Sequence, residues 1–179
     1  MNILSINFEQ LYRRHLCRHG HFGINILHLI AVAGIYVPIF ALCDKLLQWL
    51  DVANRLPVLL VLTAPWFAMV AANVPLRVAM LTAVFVGVLV AIFDVLPPLP
   101  IWVWILMILA MHRFQQFSHR LYNMDRDMSE FEATYPKGFR RFVLLLVYEL
   151  PILLNYLAFG HKDWEFRSNV GNELSGHRT

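Results

Sequence analysis

Three stretches of this 179-residue chain carry no charged side chain: Val58 to Val74, Val78 to Phe93, and Val95 to His112. Apolar runs of that kind constrain the fold most, because a helix at a water-facing surface needs a polar face and these runs supply none. They read as membrane spans. Composition agrees, with 59% of residues apolar, 15% charged and a mean hydropathy of +0.56, where ordinary globular domains run about half apolar and about a quarter charged. A disordered tail, a nucleic-acid-binding domain and a disulfide-stapled secreted module are excluded. The net charge of +3 does not argue for nucleic acid, since the basic residues are scattered over loops where orientation signals belong.

The chain therefore reads as one integral membrane domain, 1–179: an all-α, polytopic helical bundle of about five spans. An amphipathic segment (1–22) precedes it and a polar tail (160–179) follows. The spans are placed at Gly23 to Leu42, Pro57 to Val74, Leu76 to Leu96, Pro100 through His112 and beyond, and Phe142 to Phe159. Pro75 and the Pro97-Pro98-Leu99-Pro100 cluster separate the middle three, because proline ends a helix and restricts the residue before it. The last span contains Glu149-Leu150-Pro151, where a break or re-entrant course would return the tail to its starting side. The first 22 residues lack an apolar core of their own, so the following helix reads as a mature span rather than a removable signal. Cys17 and Cys43 flank the first span and are expected on opposite sides of the membrane, unbridged.

With the N-terminus cytoplasmic, ten of the 15 Lys and Arg residues fall inside and five outside, as the positive-inside rule prefers. Trp49, Trp102, Trp104 and Trp164 then gather at the outer interface. In this topology His15, His19, His21 and His28 lie before or in the first turns of span one. His112 and His119 lie at the cytoplasmic end of span four. Six of the eight histidines thus share one membrane face.

Span four becomes polar early. Only Ile101 to Met111 precede His112, which at about 1.5 Å per residue covers roughly half the hydrocarbon core. His112, Gln116 and His119 share a helical stripe flanked by Gln115 and Tyr122, and intramembrane polar groups usually mark a site or substrate path. His15 and His19, one helical turn or about 6 Å apart, suit chelation of one metal, whereas His112 and His119 stand about 10.5 Å apart, at the limit for sharing an ion. Neutral imidazole suits Fe, Zn or Cu. Glu149 is a candidate carboxylate ligand or base, or alternatively a packing residue. Ser129-x-x-Glu132 matches a capping box, which gives Glu132 a structural role.

His19-x8-His28 at the start of the first span, Gln115-x3-His119 closing a later one and Pro151 in the last resemble the small membrane 2-hydroxy fatty acid dioxygenases of fungi and bacteria. His21-Phe22 stands where that family has Asn-Pro, and Ser118-His119 where it has Gly-His. The resemblance implies an Fe(II)- and O2-dependent enzyme that shortens 2-hydroxy fatty acids by one carbon in lipid α-oxidation. On that reading His19, His28 and His119 bind metal, and His15 and His112 complete one or two sites. Glu149 and Gln116 are the candidate catalytic side chains. Arg113, Arg120 and Tyr122 are the candidates for holding the substrate. Two rivals stand beside it: a di-iron lipid hydroxylase or desaturase, and a haem-binding or electron-transfer subunit with His28 and His112 as axial ligands. Glycine-rich phosphate loops, a Gly-x-Ser-x-Gly elbow and Cys-x2-Cys pairs do not occur.

Overall fold

A computed structural model describes residues 6–16, 19–121 and 138–160. Six α-helices form among them: α1 (Phe8–Leu16), α2 (Phe22–Trp49), α3 (Arg55–Asn73), α4 (Leu76–Val95), α5 (Ile101–Leu121) and α6 (Phe139–Asn155), the last running into a π-helical turn at Tyr156–Gly160. The expected all-α membrane bundle is what forms. Phe22–Trp49, Arg55–Asn73, Leu76–Val95 and Phe142–Gly160 are each long and apolar enough to cross a bilayer. The outer faces of α3 and α4 carry Leu60, Val61, Leu62, Met80, Val84, Val88 and Ile92 in exposed positions, as lipid-facing surfaces should.

Local chemistry sets the boundaries. Val74 and Leu96 are extended, each preceding a proline that disfavours helical backbone before it, so α3 and α4 stop there. Beyond α2 the chain turns through Asp51 at a positive φ of 56°. Arg55 Nε then donates to Asp44 Oδ1 at 2.7 Å, tying the first turn of α3 to the last turns of α2. Span one extends well past the expected Leu42, to Trp49, and passes through a buried Pro38 without ending.

α5 packs chiefly on α2. It misses the apolarity of a spanning helix because His112, Arg113, Gln115 and Gln116 occupy its second half, the early polarity noted above. Close approach is possible because Gly34 faces Met111: a Cβ there would meet Met111 Cγ at 2.7 Å. The start of α2, the α3–α4 junction and the end of α5 form one end of the bundle, here the histidine end. The α2–α3 and α4–α5 turns form the distal end.

α6 continues through Pro151 rather than breaking there; the departure from regular helix comes later, at Tyr156. Its contacts keep it at the histidine end. Leu144, Val147 and Tyr148 pack with Val70, Val74 and Val78 of the α3–α4 junction, the Tyr156 hydroxyl donates to Gly20 O at 3.0 Å, and Arg77 covers the Phe159 ring at 4.8 Å. Leu144 to Phe159 spans about 22 Å of helix, so both halves meet that end only if α6 lies across it. α1 lies there too, its Phe8 and Leu11 buried in the same cluster. Ile6 N donates to Asn73 Oδ1 at 2.9 Å, fastening the segment before α1 to α3. Trp104, expected in the outer aromatic belt, is instead a core residue, 3% exposed, while Trp49 and Trp102 are exposed at the distal end. Cys43 is free. The Ser129–Glu132 capping box, Tyr122, Cys17, Trp164 and the tail lie outside the described residues.

Candidate metal centre

His19, His28 and His119 come together where the α1–α2 turn, the first turns of α2 and the last turn of α5 meet. One ring nitrogen from each lies within 4.8 Å of the other two. Ring centroids are 4.4 Å apart for His19 and His28 and 4.8 Å for each of these with His119. His19 and His28 are buried, at 5% and 1% exposure, and His119 is partly exposed.

Each buried ring is oriented by a bond on its other nitrogen. His19 Nδ1 lies 3.2 Å from His15 O; an N–H there donates to that carbonyl and leaves Nε2 as the lone-pair nitrogen. His28 Nδ1 lies 3.2 Å from Glu149 Oε1, and Gln115 Nε2 donates to the same carboxylate oxygen. Gln115 Nε2 is also 3.2 Å from His28 Nδ1. With the amide hydrogen on the carboxylate, the Nδ1 proton of His28 also goes to Glu149 and Nε2 is again the free nitrogen. Carboxylates that hold a histidine proton in this way fix the tautomer of metal ligands and raise their basicity.

The result is two buried nitrogens, His19 Nε2 and His28 Nε2, with no hydrogen-bond partner. Leaving a buried polar atom unsatisfied costs about 1–3 kcal/mol, so the pair calls for a ligand. Three imidazoles at about 2.1 Å from one ion stand at most about 4.2 Å apart, a little under the 4.8 Å within which these ring nitrogens lie. These three nitrogens could therefore hold a divalent transition metal ion. Burial above all, and then the neighbouring His15, His28 and His119, lower the pKa of His19 well below 6.5, which keeps it in the neutral form a metal requires.

The backbone that carries His19 is itself pinned. Buried Asn25 donates through Nδ2 to His19 O and to His21 O, and Tyr156 holds Gly20 O. These two residues position the centre without touching its donor atoms.

Other sequence candidates fall elsewhere. His15 is buried and stacked on His19 at 4.0 Å, covering the centre rather than joining its three ligand nitrogens. His112 is exposed and its Nε2 pairs with Gln116 Nε2 at 3.0 Å, so it joins neither the centre nor a haem-like pair with His28. Gln116, expected as a catalytic side chain, is exposed and also accepts from Arg113 Nη1 at 3.2 Å. The inward glutamine is Gln115, one residue earlier, whose signal was its one-turn spacing from His119. Arg113 and Arg120 are exposed, on the flank of α5 opposite buried Ser118 and Trp104. His21 is exposed. Among the described residues there is one such three-histidine group, so a second metal site of this type is not seen there. Compared with known proteins, the chain matches no family model, no curated protein and no solved structure.

Proposed function

We propose that the protein is an Fe(II)-dependent membrane oxygenase acting on a fatty acyl substrate, with 2-hydroxy fatty acid dioxygenation by α-oxidation as its reaction. One observation carries the metal part of the reading: two buried imidazole nitrogens without partners, in a group completed by His119. The choice of iron and of a 2-hydroxy acid rests on the motif resemblance and on the position of the group at one end of a membrane bundle. His19, His28 and His119 would hold the ion. When bound, iron supplies O2 activation and open positions for a hydroxy-acid chelate.

The chain's own residues provide the setting. Glu149 accepts a hydrogen bond from the Nδ1–H of His28 and keeps the ring in one tautomer, and Gln115 keeps Glu149 in place. α1, with His15 over His19, and the buried Leu150–Tyr156 stretch of α6 exclude water from the inner sides. His119, the partly exposed member, leaves the flank of α5 as the side for a substrate. Leu106 and Leu109 are exposed on the same helix farther toward the distal end, at the depth an acyl chain would occupy. Arg113 and Arg120 reach a carboxylate only from outside the bundle. By the distribution of Lys and Arg, the histidine end is the cytoplasmic one.

The test is metal analysis of the intact protein after mild detergent purification, followed by incubation with a 2-hydroxy fatty acid and O2. One iron per chain, lost in His119→Ala, and a product one carbon shorter are expected. Substoichiometric Fe, Mn, Cu and Zn under every condition would sink the metal centre. Stoichiometric iron without chain shortening would remove the reaction and leave the centre. Two irons per chain would favour the di-iron hydroxylase, and a Soret band the haem subunit.

A further inference from the structure

The distal end of the bundle contains a cavity of about 290 Å³ between the ends of α2, α3, α4 and α5. It is far from the histidines and independent of their chemistry. Its walls include Asp44, Lys45, Arg55, Asp94, Phe93 and Trp104, and the proline loop after α4 forms one side. Such a volume lies just below the range of about 300–1,000 Å³ found for small-molecule sites. It suits a small polar head better than an acyl chain.

The charges define the head. Two carboxylates and two cations line the cavity, so a ligand of either single sign would meet its own sign on part of the wall. Arg55 uses Nε for Asp44; the guanidinium has five N–H donors in all, and those on its two terminal nitrogens remain for an anion. Lys45 Nζ donates to Gln48 Oε1 at 3.2 Å and has two further donors. Asp94 has no hydrogen-bond or ion-pair partner among the described residues, so its carboxylate is the acceptor available to a cation. Trp104, 3% exposed, supplies an apolar wall. The same end displays Trp49 and Trp102, 73% and 62% exposed, the residues that sit at a membrane–water interface.

We infer that this cavity binds a zwitterion carrying one phosphate and one primary ammonium group, the chemistry of a phosphoethanolamine head. The phosphate sits on Arg55 and Lys45, and the ammonium on Asp94. At a membrane interface the source is the headgroup of a bilayer lipid; the same chemistry in free phosphoethanolamine is the other source.

The full chain, delipidated in detergent, is titrated with dihexanoyl phosphatidylethanolamine, phosphatidylcholine and phosphatidylglycerol, and retained lipid is counted by native mass spectrometry. One phosphatidylethanolamine per chain is expected, held about tenfold more tightly than the other two. Asp94→Asn, which removes charge from a residue with no partner among the described residues, abolishes that preference. Arg55→Gln weakens all three lipids, and circular dichroism checks that its helices persist. Displacement by free phosphoethanolamine at matching concentration assigns the site to the soluble head, and resistance to displacement assigns it to the intact lipid. Equal retention of the three lipids, or a preference unchanged in Asp94→Asn, overturns the inference.

Discussion

At the scale of single residues, the centre depends on which nitrogen of each imidazole is occupied. His28 is almost fully buried, and its Nδ1 faces Glu149, whose side chain is 19% exposed. Replacing that carboxylate by a neutral amide of the same size keeps the packing but weakens the hold on the Nδ1 proton. Glu149→Gln is therefore expected to lower metal affinity about 10- to 100-fold, the usual effect of losing such a partner, with unchanged helical content. Competition with a chelator and circular dichroism on the same samples check this, and unaltered chelator resistance would remove Glu149 from the centre. The sequence marked Glu149 because a carboxylate in an apolar run is costly. It singled out Gln116 where the structure turns Gln115 inward, since adjacent residues on a helix differ by about 100° in direction and which direction is inward depends on where α2 lies.

At the scale of elements, the distance between α2 and α5 sets the spacing of the donors, because His19 and His28 come with one and His119 with the other. Gly34 and Met111 are one point of close approach. Gly34→Val forces Met111 aside and is expected to cost about 1–3 kcal/mol through overpacking. It should also loosen metal binding by moving α5 outward. Gly87, whose Cβ would meet nothing within 4 Å, is the matched control: Gly87→Ala is expected to be neutral or stabilising by up to about 1 kcal/mol. Thermal unfolding in detergent with parallel metal analysis separates the two, and equal behaviour of both variants would contradict this account of the α2–α5 contact. The prolines at 75 and 97–100 made the helix boundaries legible, because their restriction is local. The course of α6 was not legible. Its apolarity suits a crossing, but its two faces are used by α1 and by the bundle at one end.

At the scale of the molecule, the burial of His19 among His15, His28 and His119 makes the histidine end sensitive to acid. The folded protein holds the pKa of His19 well below the 6.5 of the unfolded chain, so below about pH 6.5 the unfolded state binds more protons and stability falls as pH drops. Protons also compete with metal for the same nitrogens. Thermal stability and metal content should both be level above about pH 7 and decline together below about pH 6.5. Melts and metal analyses between about pH 8 and about pH 5 check this, and a flat profile across that range would contradict the burial of a neutral His19.

The membrane class, the all-α architecture and most of the helix ends follow from local causes: runs without charge, and prolines that act on their immediate neighbours. The gathering of histidines at one end also follows, because the count of spans decides which end of each helix they occupy. The membership of the centre does not. His112 and His119 lie two turns apart on one helix, yet only His119 is brought to His19 and His28. That choice is made by position along α5, since two turns place His112 about 10.5 Å farther from the histidine end, at a level that the fit of Met111 against Gly34 sets through contacts 77 residues apart in the chain.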